Sequence, residues 1–173
     1  SFPWMIYALL FPRRRAAAVA ISRAVAASLP RRIGNRTTTI YNGVGVPPDI
    51  DPRVPPQQVR FLYLGRVVPW KGCHLLVDAL ALLLRRDPPR PVFLSIVGDT
   101  LYWPPAYRNE LTKRIAALPR PGCCSLAGAT SDPGAVYRDH HVFCIASDRE
   151  PFGRVTAEAQ AHGLPVIGCD DGG

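Results

Sequence analysis

The sequence lacks the patterns that mark several large classes of proteins. Its first predicted strand-to-helix turn has no Gly-x-Gly-x-x-Gly fingerprint, which weighs against a nicotinamide-dependent enzyme. No cluster of cysteines or histidines has metal-ligand spacing, so we expect no bound metal. No apolar run is long enough to span a bilayer. The opening "SFPWMIYALLFPRRR" imitates a signal peptide, but its basic residues follow the apolar run, whereas a signal peptide has them before it.

Acidic residues are few relative to basic ones. The chain has 13 aspartates and glutamates against 21 lysines and arginines, which gives a net charge of +8. This excess favours anionic partners, namely phosphates, nucleotides, nucleic acid or an acidic membrane surface. For each single run of arginines, a solvated basic surface is the simpler interpretation.

Cysteine usage excludes a full disulfide framework, because the chain has five cysteines, an odd number. The adjacent Cys123 and Cys124 do not have the spaced pattern of redox motifs. We interpret most cysteines as small buried hydrophobic residues. This usage favours a reduced, intracellular compartment, and we expect a cytoplasmic protein.

The first part of the chain leaves its local structure open. Residues 16–29, "AAAVAISRAVAASL", suit a strand and then a helix capped by Ser22, but periodicity does not separate the two states. The stretch "TTTIYNGVGVPPDIDPRVPP" then passes through the Asn42-Gly43 turn signal into a proline-rich segment. We place a domain boundary there, with a linker over residues 43–58.

From residue 59 onward, apolar strands alternate with helices. The predicted strands are "VRFLYLG", "PVFLSIVGD", "CCSLAG", "HVFCIAS" and "LPVIGCD". The predicted helices are "GCHLLVDALALLLRR", "YRNELTKRIAAL", "DPGAVYRD" with Asp132 as N-cap, and "GRVTAEAQAH". Strands that are apolar along their whole length are buried on both faces, so the pattern predicts a Rossmann-like, doubly wound α/β domain with a parallel sheet. Such sheets bind ligands at the carboxyl ends of their strands.

The turn after the first of these strands carries two cations. Arg66 and Lys71 flank it, and the next helix is predicted to begin near Gly72. A guanidinium fork and an ammonium at this edge of the sheet would suit a diphosphate. A solvated basic loop is the simpler explanation of this turn taken alone.

The turn before the last helix combines glycine with charge. If the helix begins near Phe152 or Gly153, its free amides face the same edge of the sheet, and the glycine lets a ligand approach the backbone. Arg154 and Glu158 lie four residues apart on one face, where a surface ion pair is the simpler interpretation. Glu150 precedes the helix and lies in the loop.

These stretches together resemble a known family. In this order, "GRVVPWKG", "IVGD" and "DREPFGRVTAEAQAHGLPVIGCDDGG" closely resemble the donor-binding domain of family 4 retaining glycosyltransferases, which have the GT-B fold. The resemblance covers residues 16–173 and is strongest from Phe61 onward. It implies transfer of a sugar from a UDP-, GDP- or ADP-sugar to an acceptor, with retention of configuration and without a metal. It also implies that residues 1–42 are a remnant of an N-terminal acceptor domain and that residues 59–173 bind the nucleotide-sugar.

The resemblance implies roles for single residues. Arg66 and Lys71 match the pair that binds the diphosphate and stabilises the leaving nucleotide. Glu150 matches the glutamate that holds donor-sugar hydroxyls, and Glu158 matches the one that binds the ribose hydroxyls. Arg154 stands where many relatives have leucine, so its side chain is a candidate for an extra phosphate contact. The other expected donor-binding residues are Gly65, Gly98, Asp99, Pro151, Phe152, Gly153, Arg154 and Val155.

Compared with the family pattern, the chain is short at both ends. We therefore expect a truncated C-terminal half of a GT-B fold, without its final strand and helices and inactive alone. A sugar or lipid-linked glycan acceptor would bind the missing domain. The basic N-terminal segment suits peripheral contact with a membrane, and uncovered apolar surface predicts self-association.

Three alternatives stay open at this point. A sugar-nucleotide epimerase would share the nucleotide-binding logic, but we would not expect it to carry the two-glutamate motif. A basic fragment that binds anionic partners would explain the charge, although we expect no specific nucleic acid because aromatic interleaving and nucleic-acid motifs are lacking. The third alternative is a non-catalytic relic that binds nothing.

Overall fold

The structure is a computed structural model, which describes residues 17–48, 50, 56–100, 104–170 and 172. The predicted basic run Arg13–Arg15, most of the proline-rich linker after residue 50, and the terminal Gly173 lie outside the described residues. The chain forms two compact units. The smaller contains residues 1–43, 149–152 and 172–173, and the larger contains residues 44–148 and 153–171. The domain boundaries at residues 42 and 58 stay predictions.

The smaller unit shows that its first segment is both strand and helix. Its elements in chain order are β1 (Ala18–Ala20), α1 (Arg23–Ser28), α2 (Arg31–Gly34) and β2 (Thr37–Thr39). Strands β1 and β2 pair in parallel. The Ser22 hydroxyl accepts a hydrogen bond from the Val25 amide at 3.1 Å, so it caps α1 and marks where the strand gives way to the helix.

The larger unit alternates strands and helices along the chain. Its strands are β3 (Val59–Leu64), β4 (Val92–Val97), β5 (Cys124–Leu126), β6 (Val142–Ile145) and β7 (Val166–Gly168). Its helices are α3 (Cys73–Arg85), α4 (Pro105–Ala116), α5 (Pro133–Arg138) and α6 (Arg154–Ala161). All five strands are parallel and lie in the order β5-β4-β3-β6-β7, so the predicted α/β fold is confirmed. No helix in the described part of the chain is long and apolar enough to cross a membrane.

The sheet is covered on both faces, as in a doubly wound fold. Successive residues of β3 point to opposite faces and enter different apolar clusters. Tyr63 packs in the cluster that contains α3 and α4, whereas Leu62 and Leu64 pack in the cluster that contains Phe143 and the helices α5 and α6. The continuous apolar character of the strand follows from this two-sided burial.

One local prediction matches the structure at the residue itself, and another matches it to within one residue. Asp132 caps α5, since its carboxylate accepts from the Ala135 amide at 2.9 Å, with Pro133 in the first helical position. The helix predicted to begin near Gly72 begins one residue later, at Cys73, and a 3₁₀ turn over Pro69–Lys71 precedes it. The proline at the start of that turn fixes φ in a helical range, which starts the tighter turn early.

The five cysteines are free thiols, and Cys73, Cys123 and Cys144 are buried. Burial raises the pKa of both Cys73 and Cys124 to about 12. These thiols therefore stay protonated and unreactive, as the interpretation of most cysteines as small hydrophobic residues requires.

Candidate functional site

The order of the strands places one crevice at the centre of the sheet. From β3 the chain winds outward through β4 and β5, and then returns to place β6 on the other side of β3. At such a switch point two neighbouring strands send their following loops in opposite directions, which opens a crevice at the carboxyl ends of the strands. The turns after β3 and β6 border this crevice. They are the turns to which the sequence assigned Arg66, Lys71 and the start of α6.

In the turn after β3, one exposed arginine is followed by two buried valines. Val67 and Val68 are buried, whereas Arg66 is exposed. The Tyr63 hydroxyl donates to the Arg66 carbonyl at 2.6 Å, which holds the backbone of the turn. The Arg66 guanidinium carbon lies 6.0 Å from the centre of the Trp70 ring, close enough for a cation–π contact. The guanidinium is thus kept beside the 3₁₀ turn that contains Lys71.

A direct backbone contact joins the turns after β3 and β6. The Asp148 amide donates to the Trp70 carbonyl at 2.8 Å. Next to it, Gly72 has a left-handed backbone with φ of 69°, and a Cβ at this position would lie 2.1 Å from the Ala146 carbonyl oxygen. Only glycine permits this approach. The two turns therefore form one continuous rim.

The Gly98-Asp99 turn packs against the same rim from the side of β4. A Cβ on Gly98 would lie 1.7 Å from the Gly65 carbonyl oxygen. The Val67 amide donates to the Asp99 carbonyl at 2.9 Å. These two contacts give a structural reason for the glycine and place the "GD" turn beside the first turn.

The N-terminus of α6 is open. Gly153 is its N-cap, with φ of 75°, and no side chain caps the helix. Because the first amides of a helix have no intrahelical acceptor, the N–H groups at its start, including those of Arg154 and Val155, are available to a ligand. Gly153 is buried and its left-handed backbone suits glycine. This arrangement suits an anion.

The Glu158 carboxylate has a partner on each oxygen. The Tyr137 hydroxyl donates to Oε2 at 3.0 Å, and the Arg154 Nε atom lies 2.9 Å from Oε1. The Arg154–Glu158 pair is the ion pair that the four-residue spacing predicts. No sequence motif marks Tyr137 as a site residue. The sequence does place this tyrosine beside apolar residues on a predicted helix, and a buried tyrosine hydroxyl needs a hydrogen-bond partner.

The remaining predicted site residues, Glu150, Pro151 and Phe152, belong to the smaller unit. Glu150 forms a parallel bridge with Gly172, and a Cβ on that glycine would lie 2.3 Å from the Glu150 carbonyl oxygen. The Phe152 ring lies 6.1 Å from the Tyr41 ring. The motif loop is thus held on both sides of Pro151.

Two buried serines of the larger unit also have no sequence motif that marks them. Ser147, at the end of β6, is 4% exposed, and its hydroxyl has no hydrogen-bond partner among the described residues. Ser95 is also buried, but its hydroxyl lies 2.7 Å from Nε2 of His140. Burial lowers the pKa of His140, so its ring is neutral at pH 7. No group of three or more metal-ligating side chains occurs in the described ranges.

The larger unit is a doubly wound α/β domain with basic residues and a helix N-terminus at its switch point, and doubly wound domains commonly bind their ligands at this place. The model of the family "Glycosyl transferases group 1" matches residues 50–173. The chain belongs to this family.

Curated relatives agree with this assignment. The chain is 38% identical over 120 residues to a D-inositol 3-phosphate glycosyltransferase of Corynebacterium efficiens, a match that covers 64% of this chain and 26% of the relative. It is 30% identical over 115 residues to a mannosylfructose-phosphate synthase of Agrobacterium fabrum, covering 65% of this chain and 25% of the relative. The matches thus span about a quarter of the length of these relatives.

Solved structures confirm the fold. Alr3699/HepE of Anabaena, crystallised in complex with UDP-glucose, superposes with a TM-score of 0.77 at 28% identity, covering 93% of this chain and 47% of that one. A glycosyltransferase from Rickettsia africae superposes with a TM-score of 0.82 at 26% identity, covering 100% of this chain and 49% of that one. The chain matches about half the length of each.

Proposed function

We propose that this chain supplies the donor half of a retaining family 4 glycosyltransferase, which transfers a sugar from a nucleotide-diphosphate sugar to an acceptor. The observation that carries the proposal is the continuous rim made by the turns after β3 and β6. Arg66 and Lys71 lie on the first turn, and the Asp148–Trp70 bond joins it to the second. The complex of Anabaena Alr3699/HepE with UDP-glucose supports a UDP-sugar as the donor.

The chemistry explains why cations and amides belong on this rim. Breaking a glycosyl–phosphate bond leaves negative charge on the diphosphate and positive character on the sugar ring. In the proposal, Arg66, Lys71 and the open N-terminus of α6 stabilise the departing diphosphate. Losing one such preorganised donor typically raises a barrier by about 2.7–4 kcal/mol. Cations already in place make a metal unnecessary, and metal independence stays a prediction.

Two glutamates then bind the two ends of the donor. We assign the ribose hydroxyls to Glu158, whose carboxylate is held in place by its neighbours on α5 and α6. The assignment of the sugar hydroxyls to Glu150, and of backbone contacts to Pro151 and Phe152, is based on the motif. The acceptor, a sugar or a lipid-linked glycan, is proposed to bind outside residues 59–173.

Nucleotide binding tests this proposal. Calorimetry on the full chain would compare UDP, GDP, ADP and UDP-glucose, on wild type and on Glu158→Ala. Glu110→Ala is the matched control, because Glu110 forms an ion pair of the same four-residue spacing with Arg114 on α4. We expect one diphosphate to bind best, Glu158→Ala to weaken it by about tenfold or more, and the control to match wild type. Equal, weak binding of all ligands by all three proteins would contradict the donor site.

Salt dependence separates the proposal from a basic surface that binds any anion. Affinity that depends on many surface cations falls steeply between low and moderate salt, as it does for nucleic acid. The affinity of a site that binds ribose and base through fixed neutral and charged contacts decreases less steeply as salt increases. We expect the shallower dependence for the preferred nucleotide.

A further inference from the structure

The Glu158 carboxylate is held before any ligand arrives. Its side chain is 22% exposed, so most of it is withdrawn from water. A charged group in such a place needs fixed partners. Tyr137 on α5 and Arg154 on α6 supply them, each to a different oxygen. The carboxylate therefore has a defined position rather than a set of rotamers.

Tyr137 is a rigid donor. It is 1% exposed, and its ring packs between Phe143, with ring centres 6.2 Å apart, and His162, with ring centres 4.8 Å apart. Its hydroxyl lies 3.2 Å from the Val155 carbonyl and 3.0 Å from Glu158 Oε2. Because a charged acceptor binds a hydroxyl proton more strongly than a neutral one, the proton goes to the carboxylate. Burial raises the pKa of Tyr137, with the Glu158 charge as a further cause, so the hydroxyl stays a donor.

Arg154 acts from the solvent side. Its side chain is 69% exposed, and an exposed ion pair of this spacing contributes little to the stability of the fold. Arg154 therefore adds little to stability, but its contact with Oε1 directly fixes the position of that oxygen. Each oxygen of the Glu158 carboxylate keeps a second lone pair, which can accept a hydrogen bond from a ligand hydroxyl.

We propose that Tyr137 and Arg154 are positioning residues that set the preference of the site for ribose over 2′-deoxyribose. The inference rests on the proposed function, in which Glu158 accepts from the ribose hydroxyls. A fixed carboxylate distinguishes a ligand with both hydroxyls from one without the 2′-hydroxyl. A carboxylate free to rotate would lose part of this distinction, because it would reorganise around either ligand.

The test compares a nucleotide with its 2′-deoxy analogue. The nucleotide is the one among UDP, GDP and ADP that binds wild type most tightly, and both dissociation constants are measured by calorimetry. The variants are Tyr137→Phe, which keeps the ring, and Arg154→Met, which keeps an apolar stem. Arg114→Met is the control for loss of an ion pair of this spacing, since Arg114 on α4 pairs with Glu110 and also with Asp78 on α3.

We expect wild type to prefer the ribonucleotide by about tenfold or more, since its 2′-hydroxyl would donate a hydrogen bond to a charged group. In Tyr137→Phe and in Arg154→Met this ratio should fall by about threefold to tenfold, mainly through weaker ribonucleotide binding. Arg114→Met should keep the wild-type ratio. The ratio of the two dissociation constants is informative because a general loss of folded protein would weaken the binding of both ligands equally.

Distinct results overturn the inference and the proposed function. If wild type binds none of the three nucleotides, both fail. If it binds one and both variants keep its ribose preference, the inference alone fails. If Arg154→Met weakens both ligands equally, its side chain contacts phosphate, as the sequence suggested, and its positioning role is wrong. Arg154 is exposed, so its variant is informative even where Tyr137→Phe does not fold.

Discussion

The Asp148 amide donates a hydrogen bond to the Trp70 carbonyl at 2.8 Å, and this bond ties the turn after β6 to the turn after β3. Lys71, which the family motif assigns to the diphosphate, directly follows Trp70. The bond lies beside Gly72, where the backbones of the two turns approach closely. The rim of the crevice is thus set by backbone geometry, and the charged side chains extend from it.

Replacing Gly72 by alanine should break this rim. A left-handed backbone disfavours alanine by about 1–2 kcal/mol, and the new Cβ would also meet the Ala146 carbonyl oxygen at 2.1 Å. We expect Gly72→Ala to lower the free energy of unfolding by about 3 kcal/mol or more. Gly122→Ala is the matched control, because Gly122 has φ of 75° but nothing within 4 Å of its added Cβ. Urea unfolding of both variants measures the difference, and equal losses would show that the close approach is unimportant.

The two lysines of the chain allow a clean test of the diphosphate contact. Lys71 lies on the rim, whereas Lys113 lies in the last turn of α4. We expect Lys71→Met to weaken binding of the preferred nucleoside diphosphate by about tenfold, since a charge-assisted hydrogen bond contributes about 1.5–3 kcal/mol. Lys113→Met removes the same net charge and should bind like wild type. If both variants weaken binding equally, general charge rather than position explains the affinity.

The two buried serines of the larger unit should respond oppositely to alanine. The Ser147 hydroxyl is buried without a partner among the described residues, so its removal should raise the free energy of unfolding by about 1 kcal/mol. Ser95→Ala would leave Nε2 of His140 without its partner and should lower the free energy of unfolding by about 1–3 kcal/mol. Denaturant unfolding of each variant measures these changes. A loss of stability in Ser147→Ala would mean that the hydroxyl has a partner after all.

His140 should make stability depend on pH. Its Nδ1 atom lies 2.7 Å from the Val136 carbonyl, which fits a neutral ring that donates from Nδ1 and accepts at Nε2. Burial lowers its pKa below the ordinary 6.5, so the folded state resists protonation. This contribution to stability is complete above about pH 6.5 and is lost as the pH falls through the folded-state pKa. The free energy of unfolding should be lower at about pH 5 than at about pH 7.5 in wild type, and this decrease should be smaller in His140→Gln. An unchanged slope in His140→Gln would assign the effect to other groups.

The pattern of the sequence predicts the strands and helices of the larger unit well, because two-sided burial makes each strand apolar throughout. It does not predict their order. The right-handed crossover rule determines on which face each helix lies, but it leaves open which side of β3 the returning strand β6 joins. That choice creates the crevice, so the site's place in the sheet had to come from the structure.

The contacts within the candidate site are also predictable from the sequence only in part. The spacing of Arg154 and Glu158 predicts their shared face, and the ion pair confirms it. Tyr137 precedes Glu158 by 21 residues, and their contact depends on the packing of α5 against α6, which has no local signal. The ligand-binding roles of the predicted residues stay proposals.

The position of β6 also determines when the crevice can form. Strands β3, β4 and β5 follow one another along the chain, whereas β6 joins β3 across a long loop, as the bond between Arg60 and His141, 81 residues apart, shows. Closing a longer loop costs more conformational entropy, and pairing of strands that are far apart in the sequence slows folding. We therefore expect half of the sheet to assemble first and β6 to dock late. During synthesis, Arg66 and Lys71 would therefore leave the ribosome well before the turn after β6, which completes the rim of the crevice.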